Sequence, residues 1–259
     1  MLDFALPPLI ACLVWWGGTG AVMLLDRLPR QALPWTLAGA SAAAVAALAG
    51  IAALAPRTDK AAIYGSFLCA VAAWAWQEFA FLSGVVTGPR RSACDASRGG
   101  SRLSQAVQVV LWHELAILAM LAGIAWLVRG QPNDLALSTF AVLWVMRLSA
   151  KLNLYLGVRQ VGAEFLPPRL LYLQSYFRQR TGNALMPVSL LGGGALAGAL
   201  IASALESDGA ALAGGLLLGT LTTLAVVEHL WMVLPWSPAV LWRWAMRETR
   251  RTEQEAVVP

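Results

Sequence analysis

The chain has 259 residues, 58% of them hydrophobic and 13% charged, with a mean hydropathy of +0.63 and a formal net charge of +5. That balance excludes a soluble domain of this length and points to a polytopic, all-α membrane protein. The basic residues are spread over several segments without a nucleic-acid-binding motif, which excludes nucleic acid as a partner.

Seven apolar stretches, at 8–25, 34–55, 62–86, 106–128, 135–150, 184–205 and 211–234, are long enough to cross the bilayer as helices. The start, Met1-Leu2-Asp3-Phe4, lacks a basic n-region, so the first stretch reads as a retained span and not a cleaved signal. The fifth stretch is short, and Leu152-Asn153-Leu154-Tyr155-Leu156 can prolong it. The glycines at 192–198 in the sixth read as a helix-packing face. Cys12, Cys69 and Cys94 have neither metal spacing nor a pairing pattern; the first two read as apolar filler and the third as a free thiol. Residues 1–234 form one seven-helix transmembrane domain, including a loop at 151–183. Residues 235–259 follow as an interfacial helix, rich in Trp and Arg, and a disordered tail from 252.

Alternating the loops of a seven-span chain puts 16 of its 19 Lys and Arg on one side, leaving Arg57, Lys60 and Arg129 on the other. Basic residues stay inside, so the N-terminus is expected outside and the C-terminus in the cytoplasm. The remaining positive charge favours anionic lipid.

Against this background five titratable groups stand out. The only two histidines each adjoin a glutamate within an apolar run, as Trp112-His113-Glu114 and Glu228-His229-Leu230, and Glu78 lies in a third run. Ionisable groups in hydrocarbon are costly and mark function. With about 1.5 Å of rise per residue, all five fall roughly 8–15 Å from the cytoplasmic ends of their spans. Spans four and seven run in opposite directions, so each histidine lies nearer the cytoplasm and each glutamate one residue deeper. Gln77, Gln105, Gln108 and Arg147 are candidate supporting groups in this layer.

Three chemistries could use such a set. Glu and neutral His bind Fe, Zn or Mn, although adjacent residues project about 100° apart and depart from the Glu-x-x-His pattern of di-iron bundles. A histidine can ligate the magnesium of a chlorophyll, with a glutamate fixing its tautomer. Intramembrane Glu and His also serve in proton relays and transporters, but no internal repeat supports a small-molecule transporter.

The loop after span five is basic and aromatic. Pro167-Pro168 divides it, and an amphipathic helix is expected over 169–180, flat on the cytoplasmic surface or capping the bundle. Lys151, Asn153, Arg159, Glu164, Arg178 and Arg180 are candidate docking residues there. Three stretches of this region carry a resemblance: Asn153-Leu154-Tyr155-Leu156-Gly157-Val158-Arg159, Glu164-Phe165-Leu166-Pro167, and Ser175-Tyr176-Phe177 followed by Arg180, Asn183 and Pro187-Val188-Ser189. With Glu78, Thr87-Gly88-Pro89-Arg90 and Trp112-His113-Glu114, they resemble the PuhE family of purple phototrophic bacteria, the photosynthetic complex assembly proteins, from about span three to span seven. Genes of that family lie with those of the reaction-centre H subunit and of bacteriochlorophyll synthesis. The resemblance implies a non-enzymatic assembly factor, with reaction-centre subunits, a bacteriochlorophyll-biosynthesis enzyme or the pigment itself as partners. It carries no catalytic residue. A membrane metalloprotein in bacteriochlorophyll or quinone chemistry, using Glu78, His113, Glu114, Glu228 and His229, is the alternative.

Overall fold

The computed structural model describes residues 1–95, 97 and 100–246. It holds seven long helices: α1 (Leu2–Asp26), α2 (Leu33–Leu54), α3 (Lys60–Leu82), α4 (Arg102–Leu127), α5 (Leu135–Leu156), α6 (Leu185–Leu205) and α7 (Gly209–Val233). Each is long and apolar enough to cross a membrane. Local chemistry sets their ends. The Asp59 carboxylate accepts from Ala62 N at 3.1 Å to start α3, and Ser101 Oγ accepts from Ser104 N at 3.1 Å to start α4. α3 stops at Leu82, short of the expected boundary, because the chain turns through Gly84 at φ +76°. α5 runs on through Leu156, as its leucine and tyrosine spacing allowed.

Small residues bring helices close together. On α7, a Cβ at Gly215 or Gly219 would lie 2.6 Å from Ala204 or Ile201 of α6. The expected packing face at 192–198 is narrower than its composition suggests. Gly193 meets Val226 and Met146, whereas Gly192, Gly194 and Gly198 meet nothing within 4 Å.

The two ends of the bundle differ. At the end holding the α2–α3 and α4–α5 connections, Ile51 and Ala55 of α2, Ala70 and Ala73 of α3, Ile117 and Ile124 of α4 and Phe140 of α5 form one apolar core. Asn133 ties its loops together: its backbone N–H donates to Ala55 O at 3.1 Å, and its side chain donates to Leu54 O and to Ser66 Oγ at 2.9 Å.

At the opposite, basic end the connections fold inward. Residues Pro168–Tyr176 form a 3-10 helix, not the α-helix expected over 169–180. Leu170, Leu173 and Tyr176 recur every third residue, the 3-10 period, and all three pack on Phe81 and Val109. Arg169 fixes this segment, donating to Leu82 O at 2.9 Å and to the backbone and carboxylate of Asp26. Segment 83–90 lies directly on α4. Thr87 O accepts from His113 N at 2.8 Å, and a Cβ on Gly88 would fall 1.9 Å from Gln108 O.

The expected interfacial helix at 235–247 is a 3-10 turn, Pro238–Trp242, followed by the short α8 (Arg243–Met246), and it clasps α1. Trp16 Nε1 donates to Leu241 O and Trp242 Nε1 to Trp16 O, both at 3.0 Å, while the Trp244 ring covers Gly20. The expected disordered tail at 252–259, and Arg98, Arg247, Arg250 and Arg251 of the charge count, lie outside the described residues.

Candidate functional site

Toward the basic end α1, α3, α4, α5 and α7 surround a cavity of about 580 Å³. Segments 160–166 and 238–242 form its floor, and Trp15, Trp74, Phe81, Tyr155, Trp231 and Trp242 contribute to aromatic walls. Trp15 is central to them, with ring centroids 6.1 Å from Trp231 and 5.2 Å from Trp242.

Besides Glu164 in the floor, five charged side chains line this largely apolar space: Glu78, Glu114, Arg147, Lys151 and Glu228. They come from four helices, and only the bundle brings them together. Arg147 donates to Glu78 Oε2 at 2.8 Å and Lys151 to Glu114 Oε1 at 2.6 Å. Trp144 Nε1 also points to Glu114, at 3.4 Å. Glu228 accepts from the neutral indole of Trp15 at 2.6 Å and, among the described residues, has no cation within ion-pair distance. Arg147 nevertheless lies within electrostatic reach of all three carboxylates. The layer therefore pairs two carboxylates with two cations and leaves the third with a neutral donor. Glu78 Oε1 and Arg147 Nε are buried without partners, so the layer also presents an acceptor and a donor that water or a polar ligand would satisfy.

Neither histidine lines the cavity. His229 is buried with both ring nitrogens occupied, by Ala225 O at 2.8 Å and Ser149 Oγ at 3.0 Å. His113 is fully enclosed against Phe81, ring centroids 4.5 Å apart, and neither of its nitrogens has a partner. Neighbouring residues on a helix diverge by about 100°, so turning each glutamate to the cavity turns its histidine away. The glutamates therefore do not act as the hydrogen-bond partners that fix the histidine tautomers. Among the described residues no group of three or more His, Cys, Asp or Glu side chains converges as a metal site requires. The donor set does not fit the Fe or Zn centre considered from sequence.

The supporting and docking residues also separate. Gln77 is buried against α4, donating to Ala116 O at 3.1 Å, and Gln108 faces outward. Gln105 is buried at the start of α4 and donates to Asp95 O at 2.8 Å. Lys151 lies in the cavity wall, and Asn153 is buried, donating to Ser149 O and Ser189 Oγ. Arg159, Glu164, Arg178 and Arg180 are exposed at the basic end, with Glu164 accepting from Ser237 Oγ of the tail. Sequence reasoning missed Trp15, Arg102 and the Asp26–Arg169 pair. Trp15 had a signal: tryptophan favours the ends of a span, and this one sits in the middle.

The chain matches, over residues 1–253, a family described as "Protein of unknown function (DUF3623)". It is 38% identical over 243 residues to the "Uncharacterized 30.4 kDa protein in puhA 5'region" of Rhodobacter capsulatus, covering 90% of this chain and 87% of that protein. No solved structure matches it. The chain therefore belongs to the DUF3623 family, whose puhA-region relative agrees with the PuhE resemblance seen in the sequence.

Proposed function

We propose that the chain is a non-enzymatic assembly factor for the photosynthetic reaction centre, held in the bacterial inner membrane with its basic end in the cytoplasm. In this reading it binds a bacteriochlorophyll in the central cavity and presents it to reaction-centre subunits or receives it from a biosynthetic enzyme. The observation that carries the reading is the cavity itself. At about 580 Å³ it lies within the range of small-molecule and cofactor sites, roughly 300–1,000 Å³. Aromatic side chains are set among its aliphatic walls, surfaces on which a flat conjugated ring can stack. The relative's place in the puhA 5' region supports the same setting. When bound, the pigment would supply a light-absorbing ring with a Lewis-acidic metal at its centre. The residues that would hold it are the stacked Trp15 and Trp231 as an aromatic surface, Arg147 as a hydrogen-bond donor and Glu228 as an acceptor. Arg159, Arg178 and Arg180 are exposed where a cytoplasmic partner would dock.

The test is genetic. In a phototrophic host lacking its own copy, wild-type chain restores reaction-centre absorbance. Glu228→Gln and Arg147→Gln, present in the membrane at wild-type amounts, restore much less. Full restoration by both variants would overturn the assignment of the cavity to this role.

A further inference from the structure

α4 and α5 are held together at one end only. Near the α4–α5 connection, Ile117, Ile124 and Val128 of α4 share a core with Ala136 and Phe140 of α5. Toward the basic end, Ala106, Val109 and Val110 of α4 pack with Phe81 and the 168–176 turn, and no residue of α5 joins them. The gap between the two helices is bridged at two levels. Lys151 reaches Glu114 at 2.6 Å at the upper level. Arg102 donates to Tyr155 O at 3.1 Å and stacks on the Tyr155 ring at 4.1 Å at the lower level. Arg102 and Glu114 are separated by roughly 18 Å of helix. Between these bridges the wall is apolar. Leu103 and Val107 of α4 and Leu152 of α5 are exposed, and each also lines the cavity. Leu111 and Leu148 continue the same wall inward. The basic end is covered by segments 160–166 and 238–242, so the apolar side opens where the charged end is covered.

We infer that the α4–α5 gap is a lateral window from bilayer to cavity, and that it holds the single long-chain ester tail of the ligand while the ring sits inside. This rests on the pigment reading of the cavity. Between the bridges, Leu103, Val107 and Leu152 offer an ionised carboxylate no donor and admit a hydrocarbon chain. In hydrocarbon surroundings the chain costs nothing to leave between the helices, whereas an ionised acid there costs several kcal/mol.

The experiment uses the full chain in phosphatidylcholine nanodiscs, titrated with bacteriochlorophyll a and with bacteriochlorophyllide a, the same ring with the tail replaced by a free acid. The tailed pigment binds, and the free acid binds about tenfold more weakly or worse. Val107→Trp and Leu152→Trp, which fill the window, slow uptake of the tailed pigment. Leu118→Trp, on the exposed side of α4 outside the cavity wall, keeps the wild-type rate. Equal binding of the two pigments with no effect of the tryptophan variants overturns the window and leaves the pigment reading standing. No binding of either pigment overturns both.

Discussion

The far end of the bundle is closed by apolar packing and a buried asparagine, whereas the basic end is held open around charges. At the far end, Ile51, Ile117, Ile124 and Phe140 pack into one apolar core, and the charged groups there, Arg57 with Asp59 and Lys60 with Asp3, pair at the surface. At the basic end the same helices diverge, and Glu78, Glu114 and Glu228 face inward on Arg147, Lys151 and Trp15. A charge in hydrocarbon must be paired or used. In this helical layer three carboxylates share two cations, beside unpartnered polar atoms, and that indicates use. The folding of the chain thus concentrates its structural packing at one end and its chemistry at the other.

That division can be broken from either side. The largest effect is expected from Phe140→Ala at the packed end, which removes an enclosed ring and its edge contact with Trp74 at 5.4 Å. It should cost about 3–5 kcal/mol, read as a lower thermal midpoint in detergent, with ligand content per folded chain unchanged. Ligand loss in protein that remains folded would show that the two ends are not separable. Lys151→Met comes next. It strands Glu114, whose remaining partner is the Trp144 indole, and should cost about 1–3 kcal/mol. Adding Glu114→Gln removes the stranded charge and should recover most of that loss; no recovery would mean that the pair matters by shape and not by charge. The smallest effect lies at the surface. Hydrogen bonds from Arg57 and from the Ala62 backbone hold Asp59 below its ordinary 3.8. A lowered carboxyl stabilises the fold at neutral pH, and its contribution is lost as pH falls through the folded value. Asp59→Asn should flatten the acid limb of stability slightly, and an unchanged acid limb would remove Asp59 from the account.

Much of the fold is legible in the sequence because a span is a matter of length and hydropathy, and those survive any packing. The seven long apolar helices and the extension of α5 through Leu156 follow from counting residues. What was not legible is rotation. Hydrophobic patterning is nearly uniform around helices buried in lipid, so nothing in Trp112-His113-Glu114 says which neighbour faces the bundle axis. In both pairs the glutamate does and the histidine does not. The pairs then part company: His229 is satisfied by Ala225 and Ser149, while His113 is enclosed against Phe81 with no partner. The 3-10 turn was readable in principle from the spacing of Leu170, Leu173 and Tyr176, but leucines and aromatics at that spacing also suit an amphipathic α-helix. The fold-back of the tail on α1 depended on Trp242 and Trp244 meeting Trp16 and Gly20, a long-range fit without a local signal.

The central claim is that the aromatic, charge-lined cavity holds a pigment. Its most direct test is the absorption spectrum and extracted pigment content of the full chain, gently purified from phototrophically grown cells. The account predicts a bacteriochlorophyll band at about one pigment per chain, strongly reduced in Glu228→Gln protein of equal thermal stability. A colourless wild-type protein, folded and free of extractable pigment, would contradict it.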